Sequence, residues 1–148
     1  MSLSRFPIAA SEDAASDLKN SESKDSRDFV FWGRHLIASY GACKLERLTD
    51  AAALVSALKE AISVSSASLL SEVVHVFPNG GITAVFLLAE SHASIHTYPE
   101  HASCFLDLFT CGDACNPEAF DMLMRQYLSP RHADVKILLR HESSEDPV

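Results

Sequence analysis

The stretch EVVHVFPNGGITAVFLLA, residues 72–89, holds two apolar runs on either side of Pro78-Asn79-Gly80-Gly81. Proline presets one turn dihedral, and Asn and Gly accept left-handed backbone, so these four residues reverse the chain. A parallel crossover needs a dozen or more residues, which this reversal does not supply. Glu72–Phe77 and Ile82–Ala89 are therefore expected to form an antiparallel hairpin. On either side of it, Arg34–Ser39, Ser94–Tyr98, Ser103–Phe109 and Val135–Arg140 have the same short apolar form and read as strands. Two segments have helical period instead. In Asp50–Ile62 the residues Leu54, Ala57, Leu58, Ala61 and Ile62 make one stripe, with Thr49 or Asp50 able to cap it. The second opens with Asn116 as cap, Pro117 and Glu118, carries Phe120, Leu123, Met124, Tyr127 and Leu128 on one face, and stops near Pro130. The order β-α-β-β-β-β-α-β, with only two helices to serve as crossovers, predicts an α+β fold. The expected architecture is a two-layer sandwich, a mainly antiparallel sheet with helices on one face. The other face then needs cover, and a second subunit is one way to supply it.

A chain of 148 residues with 47% hydrophobic and 22% charged content has one domain's length and an ordinary globular composition. Residues 1–28 differ from the rest. Ten are charged, seven are serine and the apolar residues are isolated, so a disordered or loosely attached tail is expected there. The domain is expected over 29–140, with a polar, frayed C-terminus over 141–148. Twelve Lys+Arg against twenty Asp+Glu give a net charge of −8, which argues against a nucleic-acid or anionic-membrane partner. No membrane-length apolar run or signal peptide is visible. A cytoplasmic location is expected, with Cys43, Cys104, Cys111 and Cys115 as reduced thiols.

Two polar clusters follow apolar strands: Glu90-Ser91-His92-Ala93-Ser94-Ile95-His96-Thr97-Tyr98-Pro99-Glu100-His101, and Asp107-Leu108-Phe109-Thr110-Cys111-Gly112-Asp113-Ala114-Cys115. Strand ends beside loops are where a rigid scaffold presents reactive groups. Three readings are open on the residues alone. Ser91 or Cys111 could be a nucleophile with His96 as base, although no nucleophile elbow is present. His92, His96, Cys111 and Cys115 could hold zinc in a non-catalytic domain, although the spacings are loose. For any single histidine a structural hydrogen bond is the better assumption, but the clustering argues for more.

The run from Glu90 to Glu100 followed by Phe109-Thr110-Cys111-Gly112, together with Gly33-Arg34-His35-Leu36, closely resembles the small prokaryotic S-adenosylmethionine decarboxylase proenzymes over roughly residues 32–140. The resemblance implies a self-processing decarboxylase that supplies decarboxylated S-adenosylmethionine for spermidine synthesis. Its cofactor would be a pyruvoyl group made from Ser91. The Ser91 hydroxyl would attack the Glu90 carbonyl to give an ester, and elimination would release residues 1–90 as the β chain, leaving an α chain from position 91. By the same resemblance His96 is the processing base and Cys111 the proton donor in turnover. The mature carbonyl would form a Schiff base with the substrate amine and accept electrons as carbon dioxide leaves. Glu100 matches a ribose-binding carboxylate and Phe77 an adenine-stacking aromatic. Thr83 stands where the family usually has a processing serine, and Tyr98 where a tryptophan is common. No metal is implied, and the usual assembly is an (αβ)₂ dimer. A changed substrate, L-ornithine or L-arginine, is the alternative on the same scaffold. Cys43, Cys104 and Cys115 have no assigned role.

Overall fold

The computed structural model describes residues 31–141, so the expected tail over 1–28 and residues 142–148 lie outside the described part. Six strands form one sheet: β1 (Trp32–Gly41), β2 (Leu69–Val76), β3 (Ile82–Leu88), β4 (Ser91–Tyr98), β5 (Ser103–Cys111) and β6 (His132–His141). Their spatial order is β2-β3-β4-β5-β1-β6. Every neighbouring pair is antiparallel. Pro78–Gly81 makes the expected reversal, with Gly80 at φ +83°, a left-handed value that glycine adopts without cost. His141, placed by the sequence in a frayed end, instead closes β6 opposite Trp32.

The helices lie on one face, as expected for the α+β sandwich. The two longer ones are α2 (Ala51–Val64) and α3 (Pro117–Leu128). Asp50 Oδ1 accepts the Ala53 N–H and Asn116 Oδ1 accepts the Ala119 N–H, each at 3.0 Å, so both are N-caps. Such a cap is worth about 1 kcal/mol. A further helix, α1 (Leu45–Thr49), was not expected. Five residues are too few to display a period, and its place is fixed by burial of Leu48. Alternate sheet residues fill the space beneath the helices: Leu36, Ala38 and Tyr40 from β1, Ala84 and Phe86 from β3, Ala93 and Ile95 from β4, and Leu106 and Leu108 from β5. They meet Leu54, Leu58 and Ile62 of α2 and Phe120, Met124 and Leu128 of α3, the two stripes read from the sequence.

On the opposite face no layer covers the sheet. Val73, Val85, Leu87, Phe105 and Leu138 are exposed there. Strand pairing aligns them with a polar centre: His35 and Phe109 are partners, as are Ser94 and Asp107.

Candidate active site

The two polar clusters meet because β4 and β5 are antiparallel, which sets the start of one beside the end of the other. Ser91 opens β4 opposite Thr110, and the Cys111 N–H donates to the Glu90 carbonyl oxygen at 3.0 Å. That bond polarises the carbonyl a serine nucleophile would attack. The Glu90 carboxylate is drawn aside by the Ser68 N–H, 2.8 Å from Oε2, so it does not screen the peptide bond. Ser91 Oγ lies 3.2 Å from His92 Nδ1. The Cys111 thiol is exposed, at the edge of a cleft of about 590 Å³ lined by Trp32, Gly33, Phe109, Leu139 and Arg140. Gly33 keeps this end open. A Cβ there would lie 2.6 Å from the Thr110 carbonyl oxygen and 2.8 Å from the Phe109 ring.

The remaining candidates gather at the other end of β4. Thr83 Oγ1 is 3.0 Å from His96 Nδ1, across the β3–β4 pairing. Both line a second cleft, of about 470 Å³, with Phe77, Asn79, Tyr98 and Glu100. Asn79 Nδ2 reaches Glu100 Oε2 at 3.4 Å, which orients the carboxylate. His96 is five residues beyond Ser91 on one strand, a rise of roughly 17 Å. Within one chain, therefore, Ser91, Glu90 and Cys111 come together, and His96, Thr83, Phe77, Tyr98 and Glu100 come together, but the two groups do not meet.

The zinc alternative fails on placement. Cys111 is exposed, whereas Cys115 is buried with its Sγ 3.7 Å from the Ser66 carbonyl oxygen. Among the described residues no three His, Cys, Asp or Glu side chains converge as a metal site. All four cysteines are free thiols. No helix among the described residues is long and apolar enough to cross a membrane.

Between the two ends lies a cluster not found from the sequence. Asp107 accepts from Ser94 Oγ at 3.0 Å and sits 3.7 Å from His35 Nε2. Arg140 lies 4.3 Å above the Phe109 ring, and His35 packs edge-on to His92 with ring centres 6.3 Å apart. These residues are far apart in sequence, and only the register of β1, β4, β5 and β6 gathers them. Burial pushes the His35 imidazole below its ordinary value; Asp107 opposes the shift, and Arg140 and His92 add to it. Because the folded-state value is lowered, the unfolded chain takes up the proton first as pH falls. The stability from this site is thus present above about pH 6.5 and lost below it. His35→Gln is expected to flatten the decline of Tm between about pH 7 and pH 5, and an unchanged slope would remove His35 from that titration.

The family model for S-adenosylmethionine decarboxylase matches residues 34–141. A Pyrobaculum arsenaticum protein named S-adenosylmethionine decarboxylase proenzyme is 45% identical over 108 residues, covering 72% of this chain and 86% of its own. A Prochlorococcus marinus protein of the same name is 39% identical over 108 residues, covering 73% and 86%. The crystal structure of the adenosylmethionine decarboxylase from Aquifex aeolicus superimposes with a TM-score of 0.70 at 27% identity, covering 80% of this chain and 98% of that one.

Proposed function

This chain belongs to the S-adenosylmethionine decarboxylase family, and on that premise we propose that Ser91 is the residue converted to its pyruvoyl group. The activity is decarboxylation of S-adenosylmethionine by a proenzyme of polyamine biosynthesis. The observation that carries the assignment to Ser91 is the hydrogen bond from the Cys111 N–H to the carbonyl oxygen of Glu90, the residue whose carbonyl the Ser91 hydroxyl follows directly in the chain. The residues fit the group: Ser91 is half-buried at a strand end, with the exposed Cys111 thiol one step along the facing strand.

In processing, the Ser91 Oγ–glutamyl bond forms as the Glu90–Ser91 C–N bond breaks, and the hydroxyl proton ends on the new amine. A base then removes the Cα proton of residue 91, and the Glu90 carboxylate leaves with residues 1–90; the dehydroalanine left behind tautomerises to an imine, which takes up water and loses ammonia to give the pyruvoyl carbonyl. The pyruvoyl group, once formed, supplies a carbonyl that binds the substrate amine and takes up the electron pair released with carbon dioxide. Cys111 holds the proton returned to the substrate's α-carbon. Phe77 and Tyr98 offer aromatic faces to adenine, and Glu100 offers two acceptor oxygens to the ribose hydroxyls. The free thiols suit a reducing cytoplasm.

The gap between the two groups of residues supports an (αβ)₂ dimer. The uncovered sheet face exposes Val73, Val85, Leu87, Phe105 and Leu138, apolar surface that a second copy would take out of water. Two copies packed face to face about a twofold axis running across the strands bring the Ser91 end of each against the His96 end of the other. His96 and Thr83 would then act on the partner's Ser91, and each substrate site would draw on both chains. Light scattering is expected to give a dimer mass. His96→Ala alone should stay uncut, yet be cleaved when co-expressed with Ser91→Ala, because in the mixed dimer its intact serine faces an intact His96. A His96→Ala chain that stays uncut in mixed dimers, or a monomer at every concentration, would overturn this arrangement.

A further inference from the structure

We propose that Thr110 is a catalytic residue of self-cleavage, its hydroxyl donating to the Glu90 carbonyl oxygen as that oxygen gains negative charge. The inference rests on Ser91 being the nucleophile and adds a second donor to the Cys111 N–H. Four serines and threonines, Ser65, Ser94, Thr97 and Thr110, are buried among the described residues. Three are fully used. Ser65 donates to the Ile62 carbonyl oxygen at 2.7 Å, Ser94 to Asp107 at 3.0 Å, and Thr97 to the Leu48 carbonyl oxygen at 3.0 Å while accepting the Ile82 N–H. Thr110 is 0% exposed, and its Oγ1 has no hydrogen-bond partner. A buried hydroxyl left unpaired destabilises the fold, and valine would fill the same space in a strand without that cost.

The place of this hydroxyl gives it a use. Ser91 and Thr110 are direct cross-strand partners, bracketed by the bond from the Cys111 N–H to the Glu90 oxygen. That pattern makes them a non-hydrogen-bonded pair, the kind in which facing side chains approach most closely, with Cα atoms about 4.5 Å apart. The residue that carries the unpaired Oγ1 therefore stands across the strand gap from the residue that follows the scissile bond. Arg34 faces Thr110 from β1, and its Nε is likewise buried without a partner. Arg34 Nη2 donates to the carbonyl oxygen of the buried Cys115, which holds the guanidinium on the helix-covered side of the sheet.

In the step itself the Ser91 Oγ–carbon bond forms, the carbonyl pair moves onto oxygen, and the pair returns as the C–N bond breaks. The hydroxyl proton of Ser91 passes to the leaving nitrogen, so no other reagent is needed. Donors aimed at the transient oxyanion are worth most at that moment.

The test follows cleavage of freshly translated full-length chain by mass, with and without hydroxylamine, which cuts an accumulated ester but not the original amide. Thr110→Val should fold with Tm equal to or above that of the native chain, cleave about a hundred- to a thousandfold more slowly, and resist hydroxylamine. Thr110→Ser, which keeps the hydroxyl, should cleave within about tenfold of the native rate, in line with the same estimate. Native-rate cleavage of Thr110→Val, or ester accumulation in it, would overturn the proposal. Should Thr110→Val fail to fold, Thr110→Ala and Thr110→Ser decide, and equal rates for those two would overturn it. A native chain that is not cut between Glu90 and Ser91 would remove the Ser91 assignment, and this proposal with it.

Discussion

Ser91→Ala is expected to purify as one uncut chain, while the native sequence resolves into 1–90 and 91–148 with no protease added. The whole effect depends on one oxygen atom. The Glu90–Ser91 peptide is held by the Cys111 N–H, and the Glu90 side chain is turned away toward the Ser68 N–H, which leaves the Ser91 hydroxyl as the nucleophile the peptide itself carries. Without that hydroxyl no ester forms, and elimination has no leaving carboxylate. The fold should be indifferent to the change. Ser91 is half-buried, its hydroxyl lies 3.2 Å from His92 Nδ1, and alanine fits where serine did. A Tm within about 1–2 °C of the uncut native precursor would match a surface change below roughly 0.5 kcal/mol. Intact mass reads the cleavage directly. Efficient cutting of Ser91→Ala at the same bond would end the self-processing account, because an external protease would then be making the cut.

The hairpin, the caps and the helical stripes were legible because each is written in neighbouring residues. Pro78–Gly81 dictates a reversal wherever it stands, Asp50 and Asn116 cap the turns that follow them, and Leu54–Ile62 shows its period within three turns. Four strands, β1, β4, β5 and β6, extend beyond their apolar runs, whereas Phe77 and Ala89 fall outside β2 and β3. Polar residues such as Ser91, His132 and His141 are held by pairing to a neighbour rather than by their own preference. The site was legible as a motif but not as a place. Glu90 to Glu100 reads as one continuous cluster, yet an extended strand carries His96 about 17 Å from Ser91. Cys111, twenty residues from Ser91 in sequence, is brought alongside by the β4–β5 register. The four-residue spacing of Cys111 and Cys115 suggested a shared ligand set, but the chain turns at Gly112 and buries the second thiol beneath the helices. His35 and Asp107 fall in separate motifs and Arg140 in neither, and nothing local links the three. Their meeting depends on cross-strand pairing, which period-two alternation alone does not specify.

Cys111→Ala should separate what this residue does through its backbone from what it does through its thiol. The main-chain N–H that holds the Glu90 oxygen is unchanged by the substitution, as are Ser91 and His96, so the 91–148 chain should still form with a pyruvoyl terminus. Packing should survive as well, because the thiol is exposed and alanine opens no cavity in the core. Turnover is another matter. General-acid assistance contributes about a hundred- to ten-thousandfold, and no other acid occupies that position one step beyond the Ser91–Thr110 pair, so the rate with S-adenosylmethionine should fall by that order. The proton that Cys111 would place on the substrate's α-carbon then reaches the wrong atom in part of the turnovers. Each such error leaves an alanyl terminus in place of the pyruvoyl and ends that molecule's activity. The mass of the 91–148 chain before and after incubation with S-adenosylmethionine records this directly, as growth of the alanyl species with each remaining turnover. Normal turnover by Cys111→Ala with a lasting pyruvoyl terminus would take the thiol out of the reaction and leave only its backbone N–H in the site.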